Sequence, residues 1–157
     1  MSTMADKFEE LGVIPVVVLN DVKDALPLAK ALYEGGLPCA EVTFRTAAAE
    51  ESIRVMHEAY PDMVLAAGTV LTTKQVDRAA AGGLKMIKAM CAAYTNVRIM
   101  PTGGINAKNI SEYLECDKIF CCGGSWMVKG DMIKAGEFDK IKDMTAEAVS
   151  LVKKIRG

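Results

Sequence analysis

The 157-residue sequence contains one histidine, His57, and one tryptophan, Trp126, and aromatic residues make up only 6% of it. A single histidine cannot build a histidine-rich metal centre, and any Ser-His-Asp triad would have to run through His57. His57 falls in Ala47–Ala59, a stretch with the periodicity of an amphipathic helix, which points to a surface role. The five cysteines, Cys39, Cys91, Cys116, Cys121 and Cys122, are odd in number and never spaced as CxxC. They read as small apolar fillers kept reduced, which excludes a disulfide framework and a zinc site. No apolar run is long enough to cross a bilayer, and no charged-then-apolar leader opens the chain. A basic run is lacking too, and the net charge is −1, so neither nucleic acid nor a membrane surface is an expected partner. A soluble cytoplasmic protein with no metal and no cofactor is expected.

Apolar residues are abundant: hydrophobic types reach 51% against 25% charged, which suits one globular domain over residues 1–157. Met4–Leu11 reads as a short amphipathic lead-in stopped by Gly12. Ile14–Leu19 is a nearly continuous apolar run, the pattern of a strand buried on both faces in a parallel sheet. Asn20 or Asp21 caps a helix over Val22–Tyr33, which Gly35-Gly36 ends. A second strand, Ala40–Arg45, breaks the apolar pattern. With a period of two, Glu41, Thr43 and Arg45 share one face, and charge on an inward face demands a partner or a ligand. An Arg45 guanidinium beside an ionised Glu41 would hold the carboxyl pKa low. The alternative is an edge strand with a solvated face. Helix Ala47–Ala59 follows, then strand Met63–Val70 and a helix capped by Thr72 or Thr73.

The densest signal lies around Val97–Ile105. A short strand ends at Pro101, and Thr102-Gly103-Gly104 turns into a helix opened by Asn106–Asn109 and running over Ala107–Leu114. Paired glycines let successive backbone N–H groups converge on an anion. The next strand, Lys118–Cys122, runs into Gly123-Gly124-Ser125 and repeats the arrangement. Two neighbouring Gly-Gly turns at strand C-termini suit a phosphate site between the last two strands of a barrel. A helical tail occupies Asp131–Arg156.

Strands beginning near residues 14, 40 and 63 make each βα unit about 25 residues long, so eight would need about 200. The chain therefore has about five parallel strands, an incomplete barrel of the TIM (β/α)8 type within the α/β class. The expectation is an open or pinched sheet with strand order following the sequence. Its inner face would carry Val16, Val18, Thr43, Leu65 or Ala66, and Ile99.

Four motifs, Glu41–Thr46, Ala67–Val70, Pro101–Ile105 and Gly123–Trp126, together resemble the bacterial 2-keto-3-deoxy-6-phosphogluconate (KDPG) and 2-keto-4-hydroxyglutarate (KHG) aldolase family, in order along nearly the whole chain. The resemblance implies a trimeric barrel. It implies a carbon–carbon lyase that cleaves a phosphorylated keto acid through a lysine Schiff base. It implies Glu41 as general acid/base, Arg45 and Thr69 on the substrate carboxylate, and Gly103, Gly104 and Ser125 on the phosphate. The partner implied is a small phosphorylated keto acid, with a possible homo-oligomer. One feature departs from the family: the lysine-Phe-Phe-Pro strand that carries the Schiff-base lysine has no counterpart. Gln75–Ala79 resembles the helix after the third family strand, and Ala80–Lys85 the segment after the lysine strand. The chain jumps between them. Lys85 and Lys88 fall on a predicted helix, so no Schiff-base lysine is assigned. The alternative is a catalytically inactive remnant that keeps the pocket.

Overall fold

The computed structural model describes residues 4–43, 45–68 and 99–157. Four parallel strands form its sheet: β1 Val13–Val17, β2 Cys39–Thr43, β3 Val64–Gly68 and β4 Cys122–Gly124, in the order β3-β2-β1-β4. Helices α1 Met4–Leu11, α2 Ala25–Glu34, α3 Ala49–Ala59, α4 Ile110–Leu114, α5 Gly130–Lys134 and α6 Phe138–Arg156 accompany it. This is the α/β parallel architecture expected. None of the described helices is long and apolar enough to cross a membrane.

The linear order differs from the expected one. The first strand lies inside the sheet, with β4 from the far end of the chain on its other side. Isolated parallel bridges Ile99↔Ile119 and Thr102↔Gly123 add a fifth, fragmentary strand beyond β4. The cyclic order of a barrel is thus kept, with first and last strands side by side. Of the expected strand at Val97–Pro101, Val97 and Arg98 lie outside the described residues; from Ile99 on only these bridges form, since Pro101 has no N–H to give a ladder, and its carbonyl accepts from the Gly123 N–H at 2.9 Å. The bridges also differ in offset by one residue, the signature of a bulge between Ile119 and Gly123. The helix expected after Thr72 or Thr73, Thr69, and the stretch with Lys74, Lys85 and Lys88 lie outside the described residues.

Register separates the faces. Val17 pairs with Val42, and Ala40 with Leu65, on the face that α2 and α3 cover; Val17, Ala40 and Val42 are fully buried there. The opposite face carries Val16, Glu41 and Ala66 in one row, so Ala66 rather than Leu65 is the inner residue. Along this face β1 grades from buried Ile14 through half-buried Val16 to Val18, 37% exposed. A barrel interior opens toward its strand C-termini in just this way.

Local chemistry explains most boundaries. Asp21 accepts from the Lys23 N–H at 3.0 Å and starts a 3-10 turn at Val22–Asp24, so Pro27 falls in the first turn of α2. Helix α6 buries Ile141, Thr145, Ala148 and Val152, a single stripe at spacings of three and four that packs on α2 and β1. The expected continuous tail is broken at Gly136, whose φ is 71°. Near its end, Arg156 Nη1 donates to the carbonyls of Glu9 (2.8 Å) and Phe120 (2.9 Å), and Nη2 to Ile119 (2.8 Å). One guanidinium thereby ties α6 to α1 and to the approach to β4. Arg156→Ala should lower stability by about 1–2 kcal/mol. Thermal unfolding should then shift down by a few degrees, with Arg156→Lys recovering only part because an ammonium cannot span three carbonyls. An unchanged melting temperature for Arg156→Ala would mean the clamp contributes nothing.

Candidate functional site

Glu41 sits on β2 between Val16 and Ala66, half-buried on the inner face. Its placement follows from Val42, whose burial under the helices turns the neighbouring side chain the other way. The expectation that Arg45 depresses its pKa is not met. Burial raises the Glu41 carboxyl above its ordinary value, and among the described residues no cation offsets that. The reason is geometric. The strand ends at Thr43, and the Arg45 N–H donates to the Thr43 carbonyl at 2.8 Å, a three-residue turn that breaks the alternation. Arg45 is exposed in that turn, not fixed on the inner face by strand geometry. Thr43 is buried and its hydroxyl donates to the Val17 carbonyl at 3.1 Å, locking the C-terminal ends of β1 and β2 together. The position of Thr69 lies outside the described residues.

The two Gly-Gly pairs are not equivalent. Gly103 and Gly104 have φ of 88° and 70°, are exposed, and make a left-handed turn that side chains with a Cβ avoid. Gly123 and Gly124 lie in β4, are buried, and have ordinary strand φ values. Their missing side chains serve close approach. A Cβ on Gly123 would fall 2.5 Å from the Thr102 methyl, and one on Gly124 would fall 2.0 Å from the Trp126 ring. The pattern Gly-Gly alone does not separate these two uses. The bridge Thr102↔Gly123 still sets the turns side by side at the C-terminal ends of adjacent parallel strands, and Ser125 is exposed just beyond β4. Extending the β1–β4 register by one step sets Ser125 opposite Val16, itself opposite Glu41.

Asn106 and Asn109, read from the sequence only as opening the next helix, organise the first turn. The Gly104 carbonyl accepts from Asn106 Nδ2 (3.2 Å) and Asn109 Nδ2 (3.1 Å), while Asn109 Oδ1 accepts from the Asn106 N–H (2.8 Å). Asn106 Oδ1 takes the Lys108 N–H at 3.0 Å. An Asn-x-x-Asn spacing after a Gly-Gly is a readable signal for such side-chain-to-backbone bonding. It also explains why α4 starts at Ile110, later than the expected Ala107.

None of the expected site residues lines the cavity of about 360 Å³ beside Val18, which is walled by Asn20, Asp21, Lys23, Asp24, Gly130, Ile133 and Lys134. That cavity lies outside the row carrying Glu41. His57 is exposed near the end of α3. Cys39, Cys121 and Cys122 are buried free thiols; burial pushes Cys121 and Cys122 up to about 12 and Cys39 upward as well, so none is a nucleophile at neutral pH. Cys116 is half-buried, and Cys91 lies outside the described residues.

Comparison with known proteins agrees with this geometry. The family model "KDPG and KHG aldolase" matches residues 4–83 and 78–144. The 2-dehydro-3-deoxy-phosphogluconate aldolase of Treponema pallidum is 33% identical over 207 residues, covering 97% of this chain and 99% of that protein. That alignment is longer than the chain itself. Among solved structures, the KDPG aldolase of Legionella pneumophila, with pyruvate captured as a covalent carbinolamine, superposes with a TM-score of 0.83 at 29% identity, covering 94% of this chain and 98% of that one. The 2-keto-3-deoxy-6-phosphogluconate aldolase of Zymomonas mobilis with 3-phosphoglycerate gives 0.81 at 30% identity, covering 94% and 96%. With matches along nearly its whole length, the chain belongs to the KDPG and KHG aldolase family of carbon–carbon lyases.

Proposed function

We propose that this chain binds a phosphorylated 2-keto acid at the C-terminal ends of its strands and carries the cleavage of 2-keto-3-deoxy-6-phosphogluconate to pyruvate and glyceraldehyde 3-phosphate, or of 4-hydroxy-2-oxoglutarate to pyruvate and glyoxylate. The observation that carries the reading is Glu41: a half-buried carboxyl midway along β2 on the inner face, its pKa raised, in the row that continues through Val16 toward Ser125, with the Thr102–Gly104 turn beyond β4. A carboxyl whose pKa burial has raised holds a proton more readily, and so suits both accepting and returning one, which the steps of an imine aldolase require. Arg45 and Thr69 would take the substrate carboxylate. Gly103, Gly104 and Ser125 would hold the phosphate through N–H groups and a hydroxyl. The pyruvate and 3-phosphoglycerate seen in the relatives' sites lend weight to both ends of this assignment.

Bond cleavage needs an amine to form the imine with the keto carbon. No described lysine is buried or lies on β1–β4. The nucleophile would come from Lys74, Lys85 or Lys88. A second reading, ligand binding without imine formation, is favoured by one observation: the match to the family falls in two pieces meeting near Gly82-Gly83, against relatives longer than this chain. We read this as a missing block of the family fold that includes the lysine strand. Incubation with pyruvate and sodium borohydride separates the readings. A single reduced pyruvyl adduct on Lys74, Lys85 or Lys88, located by peptide mass spectrometry, is expected for the enzyme. An unmodified chain that still binds a phosphorylated keto acid would establish the second reading.

Glu41 yields a prediction that does not depend on turnover. Its raised pKa means that the folded chain holds the proton more tightly than the unfolded chain. Stability therefore falls as pH rises from the ordinary carboxylate value through the raised one. Glu41→Gln removes that loss. The variant should unfold at higher urea concentration than the parent at pH 7, and the two should converge near pH 4. A variant equal to the parent at both pH values would place Glu41 in water.

A further inference from the structure

We propose that Asn109 is the positioning residue of the phosphate turn, and that it discriminates in favour of phosphorylated ligands without touching them. The inference rests on the assignment of Gly103 and Gly104 to the phosphate. A left-handed glycine pair is permissive: its peptide planes rotate freely, and a carbonyl rotated toward an anion repels it as strongly as an N–H attracts it. Something must therefore fix the ψ of Gly104 and which edge of the Gly104–Ile105 peptide, the Gly104 carbonyl or the Ile105 N–H, faces the ligand. In this chain the Gly104 carbonyl is bound by the side-chain amides of both Asn106 and Asn109. Asn109 also accepts the Asn106 N–H through Oδ1, so a single side chain satisfies one acceptor and one donor of the loop.

The anchoring behind it is rigid. Asn109 is half-buried, with Ile110 after it fully buried and Ile105 before the loop buried as well. The backbone N–H groups of Asn109 and Ile110 both donate to the Asn106 carbonyl. The side chain is held from the core side while its amide reaches back across five residues to Gly104. None of these bonds uses the N–H groups of Gly103, Gly104 or Ile105, and among the described residues nothing lies within 4 Å of where a Cβ on either glycine would stand. The turn is built to keep its carbonyl occupied from behind.

Affinity for glycerol 3-phosphate and for pyruvate, measured by calorimetry on the parent chain, Asn109→Ala and Asn109→Asp, tests this. Alanine removes both contacts. Aspartate keeps the acceptor for the Asn106 N–H but sets a carboxylate oxygen against the Gly104 carbonyl. Glycerol 3-phosphate should bind about tenfold more weakly to Asn109→Ala and weaker still to Asn109→Asp. Pyruvate affinity should stay within about twofold in both, which a general loss of structure would not allow. Should the alanine variant fail to fold, the aspartate variant carries the same comparison. Unchanged glycerol 3-phosphate affinity in a folded variant, or an equal fall for both ligands, overturns the role of Asn109 and leaves the phosphate turn standing. A parent chain that binds pyruvate but not glycerol 3-phosphate overturns the phosphate turn itself, and the role of Asn109 with it.

Discussion

β1 is hydrogen-bonded along both edges, and its two partners come from opposite ends of the chain. β2 follows it closely, while β4 returns from beyond residue 120 to pair Val13 with Cys122, Ile14 with Gly123 and Pro15 with Gly124. This pairing brings the carboxylate on β2 and the turns flanking β4 to one end of one sheet. Without it, Glu41 and Ser125 would belong to separate halves. Its register matters as much as its existence, because a slip of one residue would send Val16 to the helix side and Val17, now fully buried, to the mouth. Pro15, with no N–H to donate, is tolerated at this otherwise central strand, its burial complete.

The glycines at the end of the sheet divide two tasks that sequence writes identically. Gly103-Gly104 gains conformations, and Gly123-Gly124 gives up volume. In β4 that volume goes to Thr102 and Trp126, so the turn of one strand is packed directly on the backbone of the next. Substituting either strand glycine would push the neighbouring elements apart, while substituting either turn glycine would strain the backbone locally.

Strand and helix identities were legible because their signals are local. The apolar run at Ile14–Leu19 and the alternation at Ala40–Thr43 each depend on a few adjacent residues, and the face of Glu41 followed directly. The cyclic strand order was not legible, since nothing in either strand names its partner. Strand alternation ends at Thr43, so the sequence period does not fix the face of Arg45, and the pKa of Glu41 is set by desolvation rather than by a paired cation. Asn109 was read only as part of a helix opening; its hold on the turn was not legible since its partners are backbone atoms, whose orientation appears only with the fold. The four motifs at consistent spacing identified the family, a property of the whole pattern rather than of any one residue.

The guanidinium of Arg156 closes onto carbonyls of Glu9, Ile119 and Phe120, so the last turn of α6 fastens α1. During synthesis α1, β1 and β2 emerge early, yet the second edge of β1 waits for β4. Until β4 emerges, one flank of the central strand is an open ladder of N–H and C=O groups, the state in which a parallel sheet is most exposed to pairing with a neighbour on the same messenger. The distance in time between the first strand and its last partner is therefore set by the rate of translation.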